Sequence, residues 1–146
     1  MTTAALPTRD RLVSAARHLI EAHGYGGASV LAIADAAGVA AGTLYRHFPS
    51  KSDLFVEVFR EVCGHEMEAA RAAAAEAPTP VASIDAIITT FARRALANPT
   101  LAWSLIAEPV DPAVERVRLE FRADYRETVA DLLRGAITAG VAPAQD

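Results

Sequence analysis

The chain has 146 residues, of which 52% are hydrophobic and 22% charged, and a formal net charge of −4. That length and apolar content fit one ordinary domain, or two small units sharing a core, and exclude a disordered chain, which combines low hydrophobicity with high net charge. One cysteine, Cys63, excludes a disulfide framework and a cysteine-based zinc site within a single chain.

Thr8 is placed to cap a first helix with Leu12, Val13, Ala16, Leu19 and Ile20 on its apolar face. Gly24 is expected to end it, followed by a Tyr25-Gly26-Gly27 loop. Ser29 caps a short second helix through Ile33 and Ala37, Gly38 interrupts, and a third short helix runs from about Ala40 to Arg46 before Pro49. Ser50-Lys51-Ser52-Asp53 resembles a capping box opening a longer helix, with Leu54, Phe55, Val58, Phe59 and Val62 on one face and an alanine-rich end from Ala69 to Ala77. Thr79-Pro80 starts a fifth helix, apolar at Ile84, Ile87, Ile88, Phe91 and Ala95. Asn98-Pro99 repeats that start for a short helix with Leu101, Leu105 and Ile106, and Asp111-Pro112 repeats it again. The last, long helix carries Val114, Val117, Phe121, Tyr125, Val129, Leu132 and Ala136 and ends near Gly140. No strand-like alternation appears, and 33 alanines among 146 residues favour helix throughout. The expected fold class is all-α.

No apolar run approaches the ~18 residues of a membrane span. Met1–Pro7 lacks the basic stretch and apolar core of a signal peptide, so a soluble cytoplasmic protein is expected. Thirteen arginines against one lysine hint at a GC-rich bacterial genome. Charge is uneven: residues 1–60 hold six basic and five acidic groups, net +1, whereas residues 61–146 hold eight and thirteen, net −5. An acidic whole therefore leaves room for a small DNA-binding patch at the N-terminal end.

Residues 29–51 carry the functional signal. Two short helices around a glycine turn, with Ala34 and Val39 as small packing residues, describe a helix-turn-helix, whose second helix enters the major groove. Leu44 and Phe48, four apart, form that helix's buried face. Thr43, Arg46 and His47 then point outward with Tyr45 at the edge, all able to donate to phosphate oxygens, and Lys51 adds a charge in the next helix's first turn. Tyr45 also reads as a half-buried core tyrosine, and His47 as an ordinary surface histidine. Arg9, Arg11 and Arg17 fit either phosphate contact or a solvated face.

At Ser29-Val30, Ile33-Ala34, Ala37-Gly38-Val39, Gly42-Thr43-Leu44-Tyr45, His47-Phe48, Lys51 and Leu54 the chain resembles the TetR-type (tetracycline-repressor-like) bacterial transcriptional regulators, over roughly residues 8–60. The resemblance implies a helical repressor, usually homodimeric, with a three-helix DNA-binding domain over residues 1–50. A connecting helix over about 51–77 opens a helical effector-binding and dimerisation domain over 51–146. It implies DNA contact for Thr43, Tyr45, His47 and Lys51 and a groove-facing place for Ala41 and Gly42; Arg46 joins them by its outward position. It also implies about two further helices after the seventh, in the dimer interface, so that the homodimer is expected where those helices are present. Ala40, Ala41, Leu31 and Ala32 depart from the pattern, standing where relatives carry polar or basic groups. Few bidentate base contacts remain, each worth ~1–3 kcal/mol. Specificity is then expected from Arg46, Thr43, alanine methyl contacts and DNA shape.

Phe91, Trp103, Phe121 and Tyr125 are candidates for lining an effector cavity, although aromatics at helical spacing are more often core. Thr90, Ser104 and Glu108 are candidate polar contacts, and the apolar set favours a hydrophobic or aromatic effector. Cys63-Gly64-His65-Glu66 lacks the second histidine of a zincin helix, and no nucleophile elbow or phosphate-cradling loop is present. No enzyme activity, cofactor or metal is expected. The partners expected are double-stranded operator DNA and a small hydrophobic molecule. Two other readings stand beside this one: a helical interaction protein that has lost specific DNA binding, and a small-molecule binder or enzyme built on the C-terminal helices.

Overall fold

A computed structural model of the chain describes residues 6–144. Residues 1–5 of the segment read against a signal peptide, and 145–146 of the tail, lie outside the described residues. Seven helices follow one another: α1 (Thr8–Gly27), α2 (Val30–Ala36), α3 (Ala41–His47), α4 (Lys51–Glu76), α5 (Pro80–Ala97), α6 (Pro99–Ile106) and α7 (Pro112–Thr138). Among the described residues there is no strand, and no helix is long and apolar enough to cross a membrane.

Side-chain caps fix most of the starts. Ser29 accepts from the Ala32 amide at 3.1 Å, Ser50 from Asp53 at 3.1 Å, Thr79 from Ala82 at 3.2 Å and Asn98 from Leu101 at 3.0 Å. Each satisfies one of the amide donors that a helix start leaves without an intrahelical partner. Two expected caps are absent. Thr8 lies inside α1, because Pro7 occupies the cap position and its carbonyl accepts the first helical bond from Arg11 at 3.0 Å. Asp111 stands at the α7 cap, but its carboxylate makes no cap bond and is engaged elsewhere.

The main core lies where α1, α4, α6 and the start of α7 meet the short α2 and α3. Leu12, Ile20, Ile33, Leu44, Leu54, Phe55, Val58, Phe59 and Val114 are fully buried there. A smaller cluster of Ala70, Ala74 and Ile87, flanked by Tyr125, Val129 and Leu132, joins the far ends of α4 and α7 to α5. The α5 face is thinner than its periodicity predicts: Ile87 and Thr90 are buried, whereas Ile88 is 50% exposed. Alternate i, i+3 and i+4 positions can satisfy a helical period, and only the packing partner decides which stripe is used.

Gly24 ends the continuous run of helix from Thr8, as expected, but Tyr25–Gly27 beyond it form a further turn and not a loop. It breaks the helical path (φ 75°, ψ 177°), and one further turn, Tyr25–Gly27, re-forms in a new direction. Only glycine adopts that geometry readily. A Cβ at Gly24 would also lie 3.0 Å from an Oε atom of Glu108, whereas one at Gly38 (φ 67°) would meet nothing within 4 Å. Gly24→Ala is therefore expected to destabilise the protein by about 2–3 kcal/mol and Gly38→Ala by about 1–2 kcal/mol. Urea unfolding of both variants checks the difference, and equal losses would show that Glu108 yields freely.

Candidate nucleic-acid interface

The short helices are held from below. Ile33 and Ala34 anchor α2; Leu44 and the following Phe48 anchor α3. In the turn between them Gly38 takes a positive φ and the Val39 amide donates to the Ala34 carbonyl at 2.9 Å. With Leu44 and Phe48 facing inward, Tyr45 is 51% exposed, and Arg46, His47 and Gly42 are exposed beside it. Thr43 is half-buried; Ala41 is half-buried against the core, less open than a groove-facing residue was expected to be. Leu31 of α2 is the most exposed apolar side chain of this unit.

Two of the three arginines of α1, Arg9 and Arg17, face another way. Arg9 pairs with both carboxylate oxygens of Glu57 and lies 4.8 Å over the Phe48 ring. Arg17 lies within 3.6 Å of Glu61 and 3.9 Å of Glu21. Both tie α1 to α4 instead of standing free for phosphate.

Lys51 is engaged within the molecule. Its ammonium donates to the Tyr25 carbonyl at 3.1 Å and sits 4.3 Å from the Tyr25 ring centroid and 5.3 Å from that of Phe55. Burial lowers its pKa, partly offset by the charges of Asp111 and Glu108. The re-formed turn of α1 brings a carbonyl and an aromatic face to the start of α4, and a lysine there satisfies both.

Lys51 belongs to a polar joint that sequence reading missed. Glu108, just after α6, accepts the backbone amides of Tyr25 at 2.8 Å and Gly26 at 2.9 Å, and the Ser104 hydroxyl at 2.5 Å. Asp111 accepts the Tyr25 hydroxyl and, at 2.7 Å, the Ser52 hydroxyl. Arg118, buried in α7, pairs with Glu115 at 2.8 Å and donates to the carbonyls of Ser104 and Glu108 at 2.8 and 2.6 Å. Tyr25 completes the joint by packing edge-on to Phe55, with centroids 4.8 Å apart. Burial works against the charge on Glu108, but Ser104, the two amides and Arg118 outweigh it, leaving its pKa below the ordinary range. The Tyr25 and Ser52 hydroxyls lower that of Asp111. A tyrosine between glycines, opposite two acids flanking prolines, was the signal available; no spacing rule links positions 83 and 86 residues apart.

The effector candidates separate. Phe91 and Phe121 line one pocket with Glu66, Arg94, Leu101 and Leu105, closed down to about 30 Å³, room for a water molecule. Tyr125 packs 5.2 Å from Phe91 on the outer side, within the smaller cluster. Trp103 is 56% exposed and stands outside the pocket lined by Phe91 and Phe121, unlike its place in the candidate set: α6 buries Ser104 and Leu105 and turns the preceding Trp103 outward. Ser104 and Glu108 serve the joint. An open cleft of about 620 Å³ runs between α4 and α7 past Met67, Val117 and Phe121.

Residues 12–58 match the family described as bacterial regulatory proteins, tetR family. The HTH-type transcriptional regulator UidR of Escherichia coli is 29% identical over 144 residues, 96% of this chain and 71% of that protein. The HTH-type transcriptional repressor KstR of Mycobacterium tuberculosis is 36% identical over 98 residues, 66% of this chain and 44% of that one. Among solved structures, the fatty acid degradation regulator FadR from Bacillus halodurans superposes with a TM-score of 0.75 at 27% identity, covering 95% of this chain and 72% of its own.

Lys51→Ala is expected to lower stability by about 1–2 kcal/mol, since a bonded, ring-stacked ammonium is lost. Arg46→Ala and His47→Ala, on the open face, should stay within about 0.5 kcal/mol of the parent. Thermal unfolding of the three variants checks the contrast. Because folding lowers the pKa of Glu108 and Asp111, their contribution is complete above the ordinary carboxylate pKa of about 4 and is lost as pH falls below it. Amide exchange at Tyr25 and Gly26 should accelerate in that window before α4 opens; simultaneous opening would show that the joint has no separate titration.

Proposed function

We propose, from the match of residues 12–58 to the TetR-type bacterial regulatory proteins, that the chain is a regulator of that type, which represses by occupying an operator and leaves it when a small, largely apolar molecule enters the α4–α7 domain. The observation that carries this is the reading helix: α3 is pinned by Leu44 and Phe48 and turns Tyr45, Arg46 and His47 to one open face.

On DNA, α3 enters the major groove with Tyr45, His47 and Thr43 donating to phosphates and Arg46 within reach of a base edge or a phosphate. Ala41 and Gly42 permit close approach at the helix start. A two-fold operator is read by a homodimer, one α3 in each half-site. Lys51 acts on DNA chiefly by fixing where α4 begins relative to the end of α1, since its ammonium is already engaged.

Release follows from the joint. Leu101 and Leu105 of α6 line the pocket, and α6 runs directly into Glu108 and Asp111. A ligand that pushes α6 outward displaces the carboxylates that hold Tyr25, Gly26 and Ser52, and so re-aims α1 and α4 with the reading helix they carry. Such a ligand prefers the conformation with wrongly spaced reading helices, and by linkage operator DNA disfavours the ligand equally.

The reading surface is poor in free cations, so the salt dependence should be shallow. A slope of log K against log salt of roughly −2 to −3 per half-site is expected, at about −0.9 per neutralised phosphate. Fluorescence anisotropy with upstream DNA, excess competitor and varied salt measures it. Tyr45→Phe and Arg46→Ala should each weaken operator binding about 5- to 50-fold, as loss of one or two hydrogen bonds predicts. No competitor-resistant binding, with both variants equal to the parent, would instead favour a helical interaction protein.

A further inference from the structure

The pocket between α4, α5, α6 and α7 has apolar walls in Phe91, Leu101, Leu105 and Phe121 and two charged groups, Glu66 from α4 and Arg94 from α5. These two face each other bidentately, with Arg94 Nε donating to Oε2 at 2.5 Å and Nη2 to Oε1 at 2.8 Å. They are not equivalent. The Glu66 side chain is 18% exposed and springs from a stretch of α4 whose neighbours Cys63 and Met67 are buried. The Arg94 side chain is 42% exposed and sits in the last turn of α5. A guanidinium there can swing into water and still feel the favourable field of the helix C-terminus. Glu66 has a short stem and no comparable retreat.

From this asymmetry we infer that the ligand of this pocket carries a positive charge, seated on Glu66 in place of Arg94, on an otherwise apolar body that the two phenylalanine rings enclose. The inference rests on reading this pocket as the effector site. An anionic ligand would have to take Arg94 from Glu66, leaving the less exposed of the two groups, a carboxylate 18% open to water, without its partner. A cation exchanges one positive partner of Glu66 for another and returns Arg94 to solvent. The rings of Phe91 and Phe121 add cation–π attraction, stronger for a weakly hydrated organic cation than for a solvated arginine. The other nearby cations are committed: Arg118 to Glu115 and the carbonyls of Ser104 and Glu108, and Arg122 to the Ile106 carbonyl. The excess of acidic groups over residues 61–146 draws cations to this half of the molecule.

Two probes of similar size and opposite charge, benzyltrimethylammonium and 3-phenylpropanoate, separate the possibilities when titrated by calorimetry into the full chain, with Trp103 fluorescence reporting on α6. The cation is expected to bind at least about tenfold tighter than the anion. Glu66→Gln should abolish that preference, and Arg94→Gln should raise cation affinity several-fold by removing the internal competitor. Tighter binding of the anion, an Arg94→Gln variant that loses the cation, or no binding of either ion at millimolar concentration would overturn the inference. If Glu66→Gln fails to fold in thermal melts, the sign of the Arg94→Gln effect decides alone. The same titrations with operator DNA present keep the two readings apart. A cation that binds this pocket without releasing DNA leaves the assignment standing and removes the effector reading. Release by a neutral or anionic compound, with no cation binding, does the reverse.

Discussion

The arrangement of this molecule depends on one carboxylate. Glu108 accepts two consecutive backbone amides, Tyr25 and Gly26, from a turn more than eighty residues earlier in the chain. Those amides are presented only because Gly24 breaks α1 and lets one more turn re-form at an angle. The re-formed turn puts the Tyr25 ring against Phe55, its hydroxyl on Asp111 and its carbonyl under Lys51. Removing Glu108 would thus leave the part-buried Tyr25 amide without its partner, free the Gly26 amide to water, and loosen the end of α1, the start of α4 and the α6–α7 connection together. Charge-assisted bonds to a carboxylate are about twice as strong as neutral ones, which suits an anion to this position.

That dependence also explains what was legible in the sequence. Local rules succeeded where the physics is local: Ser29, Ser50, Thr79 and Asn98 cap helices because a side-chain oxygen three residues ahead of an amide has few other options. The Leu44 and Phe48 anchor was legible for the same reason, since a four-residue spacing fixes one helix face. Asp111 has the same local signature as Asn98, a polar residue before proline, and does something different because Tyr25 and Ser52 reach it first. Lys51 was read as a charge in a helix's first turn, and its bond to a carbonyl 26 residues away has no local signature. Trp103 looked like a pocket aromatic because helical spacing cannot say which side of α6 is covered. In each case the missing information was the identity of a distant neighbour.

The same turning inward shapes the DNA face. Arg9 and Arg17 are held by Glu57 and Glu61 of α4, so they contribute rigidity to the α1–α4 packing and little free positive charge. An interface with few mobile cations gains little affinity from counterion release and relies more on how well α3 is oriented. Orientation in turn is set by the joint and by Arg9 lying over Phe48 directly after α3. A regulator built this way is sensitive to small rotations of its reading helix, since few long-range charges remain to compensate a misplaced contact.

The closed pocket follows from the same logic. With about 30 Å³ free, an organic molecule enters only by displacing side chains, and a ligand of this pocket would bind a conformation more open than this one. The apparent affinity of any ligand is then reduced by the fraction of molecules that are open. Opening must part α6 from α4, α5 and α7, because Leu101, Ala102, Leu105 and Ile106 together form one wall. The end of that wall is Glu108. On the release proposed above, a ligand that parts this wall draws on Glu108, the same carboxylate that holds the Tyr25 and Gly26 amides at the end of α1.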